Sequence, residues 1–339
     1  TLETMQLLVT DSLSGRQLDV SAEPDDTVGA VRRQVSGLLE VPPETAELHL
    51  LHGERILADR EFVSDLPSQR LQCLRVRRTL FETLECDGGY AADGVLAPNG
   101  KLIFAPSDSF EVIALDPETS TIETFGPALH EEEEEEKYTA AGVLAPNGMI
   151  YFAPDTASRV LEVDPFECTA QLIGPELEGS HKYTANGALT PDGMIYFAPC
   201  DAPHVLAIDP RTSTVREIGP EIEGEWAHSV DGVLAHDGNI YFPPSGDPRS
   251  LVVNSRRSAV EFFSLEQLGH AGGYTVCGVL GLDGRIYFAP GRGRANQVLV
   301  IDPHESTIGV IGPELPPGGD SKYVAPGVLA PDGKIYFAP

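Results

Sequence analysis

Six aromatic side chains recur at nearly constant spacing: Tyr90, Tyr138, Tyr183, His228, Tyr274 and Tyr323. Three residues beyond each stand Asp93, Ala141, Asn186, Asp231, Cys277 and Pro326, whose chemistry varies while their neighbours repeat. If the repeats are equivalent in space, the aromatic set forms a ring at one mouth of the molecule, a platform for a small ligand or a peptide; the competing reading is packing between repeats. Asp93, Asn186 and Asp231 are hard oxygen donors of the kind that bind Ca²⁺ or Mg²⁺, and a metal held there would permit Lewis-acid hydrolysis or lyase chemistry. Solvated carboxylates and turn-forming Asp and Asn compete with that reading, so no cofactor is assigned beyond a possible Ca²⁺ or Mg²⁺. Nucleophilic catalysis has no motif: GxSxG is missing, and no cysteine has a histidine placed by a recognisable pattern.

The elements that would position these residues come from an internal repeat. Gly-Val-Leu or Gly-Ala-Leu occurs at Gly94, Gly142, Gly187, Gly232, Gly278 and Gly327, at intervals of 48, 45, 45, 46 and 49 residues. One full unit, Tyr183 to Pro220, reads as four short strands joined by turns, with Pro191-Asp192-Gly193 in the first turn and Asp209-Pro210 in the third. Pro presets φ, Asp bonds its own backbone, and Gly accepts positive φ. The repeated Asp116, Asp164, Asp209 and Asp302 before Pro are turn formers, with Asn254 in that place in the fourth unit. Four-stranded units of this length predict the blades of a β-propeller, stacked radially so that each buries its neighbour's face. Five units are complete. A sixth has its first two strands, and Thr79 to Leu84 resembles an outer strand that would complete it, giving six blades, or seven if the chain is a fragment of a longer protein. The blades resemble the broad propeller group that includes SMP-30/gluconolactonase and virginiamycin B lyase-like proteins, through Pro-Asp-Gly-x-Ile-Tyr-Phe and Ile-Asp-Pro-x-Thr. These segments serve the fold and carry no activity.

Residues 1–78 read differently. Met5 to Val9 and Gln17 to Ser21 form a hairpin pattern, and Val28, Val31, Val35, Leu38 and Leu39 follow at helical spacing behind Thr27, a suitable N-cap. Glu47 to Leu51 and Leu71 to Val76 read as two further strands. Met5-Gln6-Leu7-Leu8-Val9, Glu23-Pro24-Asp25-Asp26-Thr27, Val41-Pro42-Pro43-Glu44 and Gly53-Glu54-Arg55-Ile56-Leu57-Ala58-Asp59 resemble ubiquitin, without its Gly-Gly tail, since Arg77-Arg78 runs into Thr79-Leu80. The resemblance implies an α+β β-grasp domain, neither processed nor conjugated, which would present Leu8, Leu50 (or Leu51) and Leu74 to ubiquitin-pathway receptors. Core packing is the competing role of these leucines.

The expected architecture is thus an α+β β-grasp (ubiquitin-like) domain at 1–78 followed by an all-β propeller at 79–339. Charge narrows the partners. Lys and Arg number 23 against 52 Asp and Glu, a net of −29, of which −4 falls in residues 1–78. That excess argues against a nucleic-acid partner and favours a basic protein partner. Glu131 to Glu136 is an acidic run of the kind usually solvated. Five cysteines without short paired spacings read as reduced thiols, and no apolar stretch is long enough to span a membrane. A cytoplasmic or nuclear binding and adaptor protein is expected, more a binding module than an enzyme, with the metal-dependent hydrolase or lyase as the alternative.

Overall fold

Alternation of apolar and polar residues sets the strands of the first part. The computed structural model describes residues 5–11, 16–39, 46–52, 55–66, 70–77, 89–129, 136–224, 226–264, 272–291, 295–316 and 322–338. The chain divides into two compact units, Thr1–Glu85 and Cys86–Pro339.

In the first unit β1 (Met5–Asp11), β2 (Gln17–Ala22), β3 (Ala46–His52), β4 (Arg55–Ile56) and β5 (Arg70–Arg77) form one sheet in the order β2-β1-β5-β3-β4. The β1–β5 pair is parallel and the others are antiparallel. Helix α1 (Val28–Leu38) begins where Thr27 accepts a hydrogen bond from the Ala30 amide, at 3.3 Å. Its Val28, Val31 and Val35 pack with Leu7, Val9, Val20 and Leu50 of the sheet. The α+β, ubiquitin-like fold class expected from the sequence is corrected: α1 and two single turns of 3₁₀ helix are the only helical elements among the described residues, and every other regular element is a strand, so the chain is nearly all β. Leu50 is 1 % exposed inside the core, Leu8 is half-buried, and the Leu74 side chain lies outside the described residues.

The second unit holds five four-stranded antiparallel sheets in succession, at 95–125, 143–173, 188–218, 233–264 and 279–311. Each pairs its strands in chain order, so each is a meander. The Ile-Tyr-Phe second strands are buried because both faces of a blade are covered by neighbours. Successive clusters of buried side chains draw from adjacent sheets: Ile103 with Phe152, Tyr151 with Phe197, Tyr196 with Phe242, and Tyr241 with Phe288. The core is a series of layers between blades, which is propeller packing.

The repeated glycine has a steric cause. A Cβ at Gly187 would stand 2.5 Å from the Phe197 ring, and the other five repeat glycines meet their own Phe ring in the same way. At Gly174, with φ +80°, a Cβ would meet Val215 of the next blade at 2.6 Å. The Asp-Pro turns are held as expected: Asp116 and Asp164 each accept amide hydrogens two and three residues on, and Asn254 accepts from Arg257.

After the fifth blade comes a two-stranded pair, Val328–Leu329 and Ile335–Tyr336. Beside it Leu282 and Ile311 are 78 % and 49 % exposed, and a cleft of about 480 Å³ opens between Tyr287, Val298, Ile335 and Phe337. Thr79 to Leu84, expected to complete this blade, lies outside the described residues.

Candidate functional site

The loops that enter each first strand and those that follow each Phe-Ala-Pro meet on one face of the second unit. A belt of backbone hydrogen bonds ties them from blade to blade. Lys137 donates to Ser107, Asp155 to Lys137, Lys182 to Asp155, Cys200 to Lys182, and Ala227 to Cys200, each at 2.8–3.2 Å. Because the belt is made of main chain, it tolerates any side chain above it. Those side chains are therefore free to differ.

Three of them are held in an unusual backbone state. Glu136, His181 and Trp226, each two residues before a repeated aromatic, have φ of +60°, +51° and +55°; the corresponding residue of the fifth blade is Gly272, at +57°. A left-handed backbone costs a non-glycine residue about 1 kcal/mol or more and persists where the surroundings over-determine it. Here those surroundings are visible. Asp108 accepts the Glu136 amide hydrogen at 3.0 Å, and Asp201 accepts that of Trp226 at 2.6 Å.

The side chains so placed converge. The His181 ring stacks on the indole of Trp226, with centroids 5.3 Å apart and planes 27° apart. Trp226 is 51 % exposed. Beside the stack, Asp155 is 2 % exposed; one of its oxygens accepts the Thr139 hydroxyl, and the other, Oδ1, has no hydrogen-bond partner. His181 Nδ1 lies 3.4 Å from that oxygen and 3.9 Å from Glu136 Oε2. Among the described residues these three are the one cluster of His, Cys, Asp and Glu whose donor atoms all lie within 4.8 Å of one another.

The side chains singled out from the sequence take other roles. Tyr138, Tyr183 and Tyr274 are fully buried, and their hydroxyls, like that of Tyr90, donate to backbone carbonyls of Arg159, His204, Gln297 and Glu111. They pin each entry loop to the start of the third strand of its blade; Tyr138, Tyr183 and Tyr274 present no face to a ligand, while Tyr90 is half-buried. His228 is equally buried, its Nδ1 3.3 Å from the Pro243 carbonyl, and burial holds its pKa down at about 4 against the pull of Asp247. Tyr323 is half-buried, edge-on to Phe337.

Asn186 and Asp231 do meet, but as blade-to-blade ties. Asp231 accepts from the Asn186 amide at 2.8 Å and from its side chain at 3.0 Å, while Asn186 accepts from the Ala141 amide at 2.8 Å. Asp93 is exposed. The metal-type donor set lies elsewhere, at Glu136, Asp155 and His181. The residue after each Phe-Ala-Pro or Phe-Pro-Pro held the missed signal: Ser107, Asp155, Cys200, Ser245 and Gly291 are small and neutral except for one carboxylate. Of the acidic run, Glu136 alone is described, and it belongs to this site.

Neither Cys200 nor Cys277 is tuned for attack. Burial pushes Cys200 and Cys277 each up to about 11.

No family model matches the chain, and no curated protein does. Solved structures do. The chain is similar to a catalytically inactive virginiamycin B lyase from Staphylococcus aureus with quinupristin (13 % identity, 75 % of this chain and 85 % of that one, TM-score 0.52). It is similar to the selenomethionine form of the lyase from the same organism over the same shares, at 13 % identity and TM-score 0.51. A streptogramin B lyase follows at 15 % identity, 74 % and 82 % coverage and TM-score 0.49. None of these likenesses supports the ubiquitin-like reading of the first unit. At such identity the two Staphylococcus aureus lyase structures show a fold and not an activity, and the fold is a β-propeller.

Proposed function

We propose that the second unit is a non-catalytic binding propeller whose ligand docks at the mouth, against the stacked rings of Trp226 and His181. The observation that carries this reading is the stack itself: a half-exposed indole, face to face with an imidazole, each on a left-handed backbone fixed by the loops beneath. Exposed aromatic faces bind flat rings and cations well because they lose little conformational entropy on contact. The raised thiols of Cys200 and Cys277 favour binding over nucleophilic chemistry. The ligand is a small molecule or side chain with a flat face, and the acidic excess of the chain favours a protein partner that is basic. This reading replaces the adaptor role that depended on ubiquitin-pathway receptors.

The test is calorimetry of the whole chain against a panel of planar heteroaromatic amides and amines. Ligands are expected that lose about tenfold or more in affinity in Trp226→Ala and His181→Ala, while Asp93→Asn leaves them unchanged. Ligands whose affinity is the same in all three variants would place the site elsewhere and refute the reading.

A further inference from the structure

We propose that Glu136, Asp155 and His181 form a binding site for one divalent cation of the zinc and manganese class, with a coordination position left open toward the mouth. The inference deepens the reading above, since a ligand stacked on Trp226 would offer its donor atom to that position; the ion's own binding does not depend on such a ligand.

Geometry is the first support. Ligands around a tetrahedral ion with bonds of about 2.0–2.2 Å stand roughly 3.3–3.5 Å apart. His181 Nδ1 is already 3.4 Å from Asp155 Oδ1 and 3.9 Å from Glu136 Oε2. All three donor atoms lie within 4.8 Å of one another, and the Glu136 side chain, 56 % exposed, has room to move in toward the other two. The second support is independent of clustering. Asp155 is 2 % exposed, its Oδ1 lacks any hydrogen-bond partner, and it faces the imidazole nitrogen. Buried carboxylate oxygens are rarely left so unless a cation answers them. Thr139 donates to the other oxygen and orients the carboxylate, as outer partners of metal ligands do.

The donor set decides the class of ion. Ca²⁺ and Mg²⁺ prefer shells of oxygen alone. One imidazole with two carboxylates suits Zn²⁺ or Mn²⁺, and three protein ligands leave a fourth position for a bound molecule.

The experiment uses the full chain stripped with a chelator and then titrated with Mn²⁺ or Zn²⁺. Mn²⁺ binding is followed by loss of the free-ion electron paramagnetic resonance signal and by quenching of Trp226, the only tryptophan, whose ring lies 5.3 Å from that of His181. One ion per chain is expected, with affinity about 100-fold weaker in Asp155→Asn and His181→Ala and unchanged in Asp231→Asn. Asp155→Asn is nearly isosteric and keeps an acceptor for the Thr139 hydroxyl. It should fold, with a metal-free melting temperature close to that of the wild type, but without the rise that Zn²⁺ gives the wild type. Absence of saturable binding by either ion, or binding equal in wild type and Asp155→Asn, overturns the proposal. In that event the Trp226 platform still stands or falls by its own ligand test.

Discussion

Acid should destabilise the propeller through His228, and the size of the effect follows from its surroundings. The imidazole is fully buried, its Nε2 has no partner, and burial lowers its pKa from 6.5 to about 4. In the unfolded chain it titrates near the ordinary value. Between those two values the unfolded state binds the extra proton, so stability present above pH 6.5 is lost as the pH falls toward 4. One pKa unit is worth about 1.4 kcal/mol, which gives about 2 kcal/mol lost at pH 5 and about 3 kcal/mol by pH 4. Asp247 beside it titrates in a separate window. Burial raises its pKa, but the hydrogen bonds of Arg249 prevail and hold it below the usual carboxylate value, so its contribution is lost only below that range. The perturbation is His228→Tyr, which installs the residue found at Tyr138, Tyr183 and Tyr274. Urea unfolding followed by emission of the single Trp226 reports on the second unit without interference from the first. The wild type should lose about 2 kcal/mol more than His228→Tyr between pH 7 and pH 5. Equal losses in the two proteins would refute the argument that the buried neutral imidazole is responsible.

Other substitutions test the packing and the ties. Gly187→Ala should lower stability by about 1–3 kcal/mol, because its Cβ would stand 2.5 Å from the Phe197 ring; a calorimetric melt that does not move contradicts the steric account of the repeat glycines. Asp231→Ala should cost about 2–3 kcal/mol through the two Asn186 donors it leaves unanswered, with Asp231→Asn losing less in the same urea titration; equal losses would show that the oxygen atoms are not what matters. Replacing exposed Leu282 and Ile311 by Ser should reduce self-association at high concentration in sedimentation velocity while leaving the melting temperature within about 1–2 °C; a large fall in melting temperature would mean that this face is already covered.

Much of the blade architecture was legible because it is periodic. Gly-Val-Leu at a fixed interval, Asp before Pro at the outer turns and the Ile-Tyr-Phe strands each encode a local requirement of sterics or hydrogen bonding. The start of α1 behind Thr27 was legible for the same reason. The fold class was misjudged because local motifs of residues 5–78 were weighed as a domain identity, while the chain as a whole is built of strands. The residues of the proposed site were not legible for a related reason. Variation at Asn186 and Asp231 looked like function, yet each side chain there accepts the amide hydrogen of the preceding blade, a contact across 45 residues that spacing does not reveal. Asp155 and His181 belong to adjacent blades and meet only because the backbone belt aligns their loops. Of the expected aromatic ring, Tyr138, Tyr183, His228 and Tyr274 are buried while Tyr90 and Tyr323 are half-buried, and spacing alone does not reveal that a tyrosine hydroxyl reaches a carbonyl about 21 residues on.

The claim that the mouth at Trp226 and His181 is the binding site has one direct measurement. A chain with a single tryptophan gives a single indole N–H resonance in a ¹⁵N-labelled sample, and that resonance can be followed while planar heteroaromatic ligands are added. The account predicts a saturable shift of the indole signal that disappears in His181→Ala. Ligands that bind, as shown by broadening of their own signals, while the indole resonance stays in place would contradict it.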